Sequence, residues 1–552
     1  MTDTLSILAC QLNPIVGDVK GNQVLAEDML VKGKADGADL VVLSEFFILG
    51  YPAEDLVLKP NAVRASMKAI EALAEKTKDG PAIVLGGPWA EGDKLHNSAF
   101  FLSEGRITLR YDKRHLPNYG VFDEKRLFDQ GEGQHRTVPF KGVEIGVAIC
   151  EDLWFEDVPR AIKKAGADLL IAPNASPWRR SIQKERSGAF DRWSDCGLPY
   201  LFVNQVGGQD ELVFDGASYA TNSTHADRCS LVGQFDTGTA TVKFDTQSKK
   251  FVGLGLGCAP DSDGWEAEYR AATLALADYV NKNRFPGVVL GMSGGIDSAL
   301  TAAIAVDALG PDRVWCVMMP SKYTSSESLE DARACAEALG VKYESISIAP
   351  GVDALDEMLS DAFEDTQADT TEENIQSRLR AVTLMALSNK FGHMVVTTGN
   401  KSEMAVGYAT LYGDMCGGYN ALKDFYKTEV FELAKWRNTA VPGGGLGPAG
   451  TVIPDRIITK PPSAELREDQ RDDDSLPPYE VLDDILYGLV DEEIGVRALV
   501  ARGHEEPVVR RIEHLLYIAE YKRRQAPPGV KVGSKNFGRD RRYPITNRFR
   551  DN

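Results

Sequence analysis

Val288-Val289-Leu290-Gly291-Met292-Ser293-Gly294-Gly295-Ile296-Asp297-Ser298 runs on into Ala299-Leu300-Thr301-Ala302-Ala303-Ile304-Ala305. A β-branched apolar run breaks at glycines and resumes as an alanine-rich apolar stretch, which reads as strand, tight turn and helix. Glycine lets the backbone approach an anion closely, and the N–H groups opening a helix lack intrahelical partners, so a phosphate can take them. The expected anion cradle is therefore Gly291, Met292, Ser293, Gly294, Gly295, Ile296, Asp297 and Ser298, with Ser293 and Ser298 adding hydroxyl donors.

No lysine follows the turn, which separates it from the ordinary G-x-x-x-x-G-K-[ST] phosphate loop. The pattern S-G-G-x-D-S resembles instead the pyrophosphate loop of enzymes that split ATP into AMP and pyrophosphate. Asp297 can then hold a magnesium ion against the phosphate charge. The competing reading is a plain Gly-Gly turn between strand and helix.

Working outward from the loop, strand-like runs at 313–319, 343–348 and 394–398 alternate with helical patterns at 326–339, 352–363 and 374–389. Repeated β-α units imply a doubly wound parallel sheet whose ligands sit at the carboxyl ends of its strands. Ser293, Thr398 and Glu403 are expected to converge there. Glu403 reads as a second magnesium ligand or as the first-turn acid of a helix, a common preference on dipole grounds alone.

Upstream, buried-strand runs recur at 38–43, 82–86, 143–149, 168–172 and 200–204 with helices or hairpins between them, a layered α/β pattern. Glu45, Lys113 and Cys150 fall where such strands end. A nucleophilic thiol needs a lowered pKa or an adjacent base. Glu45 can be that base, and Lys113 can steady a thiolate or an oxyanion. Taken singly, each has a plain alternative: a packed cysteine, a loop carboxylate, a surface lysine.

Together, Leu43-Ser44-Glu45-Phe46, Lys113-Arg114-His115-Leu116-Pro117-Asn118 and Ala148-Ile149-Cys150-Glu151-Asp152-Leu153-Trp154 resemble the nitrilase-type amidohydrolases. The resemblance implies a four-layer α-β-β-α sandwich with Cys150 as nucleophile, Glu45 as base and Lys113 as oxyanion support. It places Tyr119, Glu124 and Ser176 in a glutamine pocket. The basic residue expected after Ser176 aligns in more than one register along Trp178-Arg179-Arg180-Ser181-Ile182-Gln183-Lys184, with Lys184 preferred.

In the second half, Ser293–Ser298, Asn374-Ile375-Gln376-Ser377-Arg378, Gly399–Glu403, Tyr412-Gly413-Asp414, Tyr426-Lys427-Thr428 and Pro461-Pro462-Ser463-Ala464-Glu465-Leu466 resemble NAD synthetase. The two halves joined resemble the glutamine-dependent NAD synthetases over nearly the whole length. That implies deamido-NAD, ATP and glutamine as substrates, magnesium at Asp297 and Glu403, Thr398 on the adenine nucleotide, and Asn374, Arg378, Glu403, Asp414, Lys427 and Lys535 on deamido-NAD. A solvated helix face competes for Arg378 and for Lys427. The resemblance also implies a homo-oligomer, dimer or higher, and ammonia passing from Cys150 to the adenylate by a protected route.

The expected organisation is a nitrilase-like domain over 1–255, a linker of small turn-forming residues over 256–264, and an ATP pyrophosphatase domain over 265–552 with a basic tail. A chain of 552 residues exceeds the ~250–300 at which one core stops growing. Its net charge of −19 disfavours bulk binding to nucleic acid or anionic membrane. Eight cysteines without C-x-x-C or zinc spacing suit a reduced compartment, and no run is long enough to span a bilayer. A cytoplasmic location is expected. The charge run within 466–478 reads as a solvated loop that orders over bound nucleotide. Another adenylating amidotransferase, and a silent nucleotide-binding protein, stand as alternatives.

Overall fold

A period-2 alternation with both faces buried organises the first half. In β1 (Thr4–Gln11), Leu5, Ile7 and Ala9 point one way and Leu8 and Cys10 the other, as period-2 alternation requires, and both sets are buried. A strand buried on both faces needs a layer on each side. A computed structural model supplies them, describing residues 4–255, 258, 259, 261–468, 470 and 476–551. The chain divides into two units, Met1–Gly207 with Val213–Ser262 and Gly208–Leu212 with Asp263–Asn552.

In the first unit β1 is followed by β2 (Leu40–Val42), β3 (Ala82–Glu91), β4 (Lys94–Ser103), β5 (Arg106–Asp112), β6 (Val138–Phe140), β7 (Val143–Val147), β8 (Leu169–Asn174) and β9 (Tyr200–Asn204). Then come β10 (Tyr219–Thr221), β11 (Cys229–Ser230), β12 (Gly238–Asp245) and β13 (Lys250–Val252). They form two sheets, ordered β13-β12-β1-β2-β3-β4-β5 and β11-β10-β9-β8-β7-β6. The sheets face each other across Ile7, Val42, Val84, Ile145, Ile171 and Val203. Helices α1 (Val19–Ala35) and α2 (Pro60–Lys76) cover the outer face of the first, and α3 (Asp157–Lys164) and α4 (Ile182–Phe190) that of the second. This is the expected α-β-β-α sandwich.

In the second unit β14 (Val288–Gly291), β15 (Val314–Met318), β16 (Lys342–Ser345), β17 (Met394–Thr397) and β18 (Tyr419–Asn420) make one parallel sheet ordered β16-β15-β14-β17-β18. The direction of winding reverses between β14 and β17, so the loops after these two strands flank the crevice where doubly wound sheets bind ligands. Helices α5 (Gly264–Lys282), α6 (Ile296–Leu309), α7 (Ser326–Leu339), α8 (Thr370–Phe391), α9 (Lys401–Val406) and α10 (Lys427–Thr439) surround it.

Some boundaries differ from expectation for local reasons. Helix α8 begins at Thr370 rather than 374, because Asp369 accepts from the Thr371 N–H while Glu372 accepts from the Asp369 N–H, a capping box. The helix expected at 352 begins at Ala349, where Pro350 suits a first turn that needs no N–H. Cysteine spacing misled as well: Cys229 and Cys258 are joined in a disulfide, their positions brought together where Ala259 N donates to Ser230 O. The other six cysteines are free. Arg471–Ser475 of the expected charged loop lie outside the described residues, as do parts of the expected linker. No helix among the described residues is long and apolar enough to cross a membrane.

The helix behind the glycine loop is anchored by a buried ion pair. Arg437 Nε and Nη2, on α10, donate to Asp307 Oδ2 and Oδ1 on α6 at 2.6 and 3.0 Å, and Tyr269 Oη, on α5, donates to Oδ2 at 2.6 Å. Removing one partner strands a buried charge, so Asp307→Ala should destabilise the second unit by about 3–5 kcal/mol in a urea titration. A loss below about 1 kcal/mol would show that the pair does not hold these helices together.

Candidate functional site

Glu45, Lys113 and Cys150 meet at the strand ends of the first unit. Glu45 leaves β2 in a loop pressed on β3. A Cβ on Gly86 would lie 2.1 Å from the Phe46 nitrogen, so only glycine admits the approach. Lys113 follows β5, its N–H donating to Asn97 O on β4. Cys150 opens the short turn Cys150–Trp154 after β7 at φ +43°, a left-handed conformation costly for any residue with a Cβ.

All three are almost wholly buried, and so is Glu124. Lys113 Nζ donates to Glu45 Oε1 at 2.7 Å and to Glu124 Oε1 at 2.9 Å. Glu45 also accepts from Asn97 Nδ2 at Oε1 and from Ala175 N at Oε2, 2.8 and 3.0 Å away. Burial pulls the Lys113 ammonium toward neutrality, but the charges of Glu124 and Glu45 outweigh it and hold its pKa well above the usual range. Burial pushes the Cys150 thiol up, Glu45 adds to the rise, and Lys113 only partly offsets both. Cys150 therefore rests as a thiol, so to act as a nucleophile it would need a base such as Glu45 rather than a lowered pKa.

Two contributors escaped sequence reading. Asp152 accepts from Ile149 N, Arg114 N, His115 N and Tyr111 Oη, tying the cysteine turn to the lysine loop. Its place three residues after Ile149, closing a tight turn on its own backbone, was the available signal. Asn97 had none, since its role depends on β4 lying beside β5.

The expected glutamine-pocket residues are spread more widely. Tyr51 Oη donates to Glu124 Oε1 at 2.8 Å, which places Glu124 within the charged cluster. Tyr119 Oη donates to Glu151, next to Cys150, and both line a cavity of about 570 Å³. Ser176 is buried and bonded by Arg186 Nη2 at 3.1 Å. On α4 the inward positions are Ile182, Arg186, Ala189 and Phe190, and Lys184 falls on the exposed side. The basic side chain whose charge reaches Tyr119 is Arg179, ion-paired with Glu185.

In the second unit the glycine loop has the expected form. Gly294 sits at φ +82°, with a would-be Cβ 2.4 Å from Ser328 O. Ser298 Oγ accepts from Ser293 N, and Ser293 Oγ accepts from Gly295 N. A cavity of about 180 Å³ is lined by residues Ser293 to Ser298, Thr398, Glu403 and Lys427. A second, of about 240 Å³, runs from Gly291 and Met292 past Thr398 to Asp414. Glu465 belongs to both walls and accepts from Ser325, Ser328 and Lys460.

Lys427 stands among phosphate-loop residues: its Nζ lies 2.5 Å from Asp297 Oδ2 and 3.1 Å from Glu403 Oε1. Asn374 accepts from Thr410 Oγ1, and Arg378 Nε donates to Leu411 O. Lys535 pairs with Glu493 through its side chain and accepts from Lys401 Nζ at its carbonyl. None of Asn374, Arg378 and Lys535 lines either cavity.

Two family models match the chain: carbon-nitrogen hydrolase over residues 7–250 and NAD synthase over residues 268–526. A glutamine-dependent NAD(+) synthetase of Rhodobacter capsulatus is 48% identical with 100% of both chains covered. The chain belongs to the glutamine-dependent NAD(+) synthetases. Another, from Xanthomonas campestris, is 46% identical over 99% of this chain and 98% of its own. Among solved structures, the Acinetobacter baumannii glutamine-dependent NAD+ synthetase in complex with adenosine diphosphate is 40% identical. It covers 99% of both chains with a TM-score of 0.78.

Burial raises the Glu124 carboxyl to about 7, with Lys113 opposing and Glu45 adding to the rise. A carboxyl raised in the fold contributes stability that is present at low pH and lost as pH rises through that value. Wild-type melting temperature should therefore fall relative to Glu124→Gln as pH passes from about 5 to about 8, with an inflection near 7. Parallel curves for the two proteins would show that Glu124 does not titrate there.

Proposed function

We propose that this protein makes NAD from deamido-NAD, ATP and glutamine, with glutamine hydrolysis in the first unit and adenylylation and amidation in the second. The two domains run over 1–255 and 265–552. The observation that carries the reading is the pairing, in one chain, of a Cys150 turn packed on the Glu45 and Lys113 cluster with a lysine-free glycine loop facing Glu403.

In the first site Cys150 Sγ attacks the side-chain amide carbon while Glu45 takes the thiol proton. Lys113 and its neighbours stabilise the negative charge that develops on the amide oxygen. Glu45 passes its proton to the departing ammonia, then takes one from the water that releases glutamate from the thioester. Tyr119, Glu124 and Ser176 shape the glutamine pocket, with Arg179 in place of Lys184 as its basic side chain.

In the second site a carboxylate is a poor acceptor for an amine until one oxygen becomes a leaving group. Transfer of AMP to the nicotinate carboxylate provides that group, and ammonia displaces it. Backbone N–H groups of residues 293–298 cradle the phosphates and Thr398 faces the adenine nucleotide. Asp297 and Glu403 both offer carboxylate oxygens to the cavity beside the loop, a hard donor type that suits magnesium, which would neutralise the leaving pyrophosphate. Asn374, Arg378, Asp414 and Lys535 hold deamido-NAD, with Lys427 assigned to the phosphate end. Assembly as a cytoplasmic homo-oligomer completes the reading.

With deamido-NAD, ATP and magnesium supplied, Cys150→Ala should lose NAD formation from glutamine by more than ~10³-fold yet keep it from ammonium. Asp297→Asn should lose both by at least ~10²-fold. NAD, AMP and glutamate are quantified together. Glutamine-driven synthesis surviving in Cys150→Ala removes the first assignment, and full ammonium-driven synthesis in Asp297→Asn removes the second.

A further inference from the structure

The Lys427 side chain is deeply buried, with 3% of its surface exposed, whereas Asp297 and Glu403 keep 17% and 18%. The carboxylates are thus more open to the cavity than the ammonium that bridges them. Its position is fixed on several sides. Lys427 N donates to Ser402 Oγ at 2.8 Å, Asp483 accepts from Thr428 N at 2.9 Å, and Nζ lies 5.3 Å from the centre of the Tyr479 ring. The carboxylates are fixed too. Asn400 Nδ2 donates to Asp297 Oδ1 at 2.8 Å, and Asn400 Oδ1 accepts from Glu403 N at 3.0 Å, so one side chain sets the spacing of both acids.

We propose that Lys427 is a resident counter-cation that makes divalent-metal binding at Asp297 and Glu403 conditional on nucleotide. The proposal rests on the magnesium reading of those two carboxylates. Two unpaired acids beside a cavity would attract a divalent ion from solution. Here one positive charge already spans them, so a free ion must displace a well-bonded ammonium or accept a like charge in hydrogen-bonding range of its own ligands. Phosphates entering the adjacent loop reverse the balance, because their negative charge can partner the ammonium and complete the coordination of the metal together. Lys427 accordingly positions the metal ligands and sets the order of arrival.

The coupling is reciprocal by linkage, so it is measurable without turnover. Mn2+ is titrated into the whole protein and its free fraction read by electron paramagnetic resonance, with and without a non-hydrolysable ATP analogue. Wild type should bind Mn2+ at least 100-fold more tightly with the analogue. Lys427→Met, which keeps the stem and deletes the charge, should bind Mn2+ at least tenfold more tightly than wild type without the analogue and show a correspondingly smaller gain with it. Lys427→Arg, which keeps the charge, should behave like wild type.

Wild type that binds Mn2+ equally well with and without the analogue overturns the proposal with no variant needed. A folded Lys427→Met protein with unchanged or weaker analogue-free affinity overturns it as well. Asp297→Asn with Glu403→Gln separates the two levels. If the double variant retains Mn2+ binding, the metal assignment itself fails and takes the proposal with it. If it loses binding while Lys427→Met leaves the analogue-free affinity unchanged, the metal assignment stands and only the gating role fails.

Discussion

A lysine ammonium buried between two carboxylates is the constraint on which both units turn. Lys113 bridges Glu45 and Glu124 in the first, and Lys427 bridges Asp297 and Glu403 in the second. Desolvating three charges is expensive, and their attraction offsets the cost only when the geometry is good and the remaining lone pairs are bonded. That requirement recruits the surroundings: Asn97 and Ala175 N bond Glu45, Asn400 bonds Asp297, and Tyr51 bonds Glu124 Oε1 while Glu124 Oε2 stays buried and unpartnered. The partners come from elements distant in sequence, so each trio also staples its fold locally. The two trios differ in access. The first is sealed, while the second opens its acids to a cavity.

Both sites also spend backbone freedom at a strand end. Cys150 takes φ +43° at the exit of β7, and Gly294 takes φ +82° beyond β14. At the first position a residue with a Cβ accepts the strain because its side chain must point at the acid cluster. At the second no Cβ fits beside Ser328 O, and the loop lines a cavity. One turn presents a side chain and the other presents N–H groups, which is the difference between covalent chemistry and anion binding.

Residues that act at the end of their own strand were legible in the chain. Glu45, Lys113, Cys150 and the 291–298 loop each declare themselves by an apolar run breaking into polar or glycine residues. Residues that act through a neighbour were not. Asn97 matters because Ser98 on β4 lies opposite Asp112 on β5, a register no local pattern encodes. Lys184 was preferred from spacing after Ser176, but the phase of α4 turns Arg186 inward and Lys184 out. The Cys229 and Cys258 pair depends on the chain returning past β11, and cysteine arithmetic over 29 positions does not announce it. Lys427 was visible as a basic residue near the acceptor motifs, yet only the meeting of α6, α9 and α10 shows that its partners are the acids of the phosphate site.

The resting charge states explain how such reactive groups coexist with water and solutes. In the proposed glutamine hydrolysis, a thiol held protonated by burial and by Glu45 has little nucleophilicity until a substrate oxygen arrives to share the field of Lys113. Attack and proton transfer are then coupled, because moving the proton to Glu45 removes the negative charge that disfavoured the thiolate. The cluster's net charge is conserved through that step, since the carboxylate is neutralised as the developing oxyanion appears beside the ammonium. On that proposed mechanism Lys113 does not change its charge during the cycle, and its raised pKa is the property that would let it exchange one anionic partner for another.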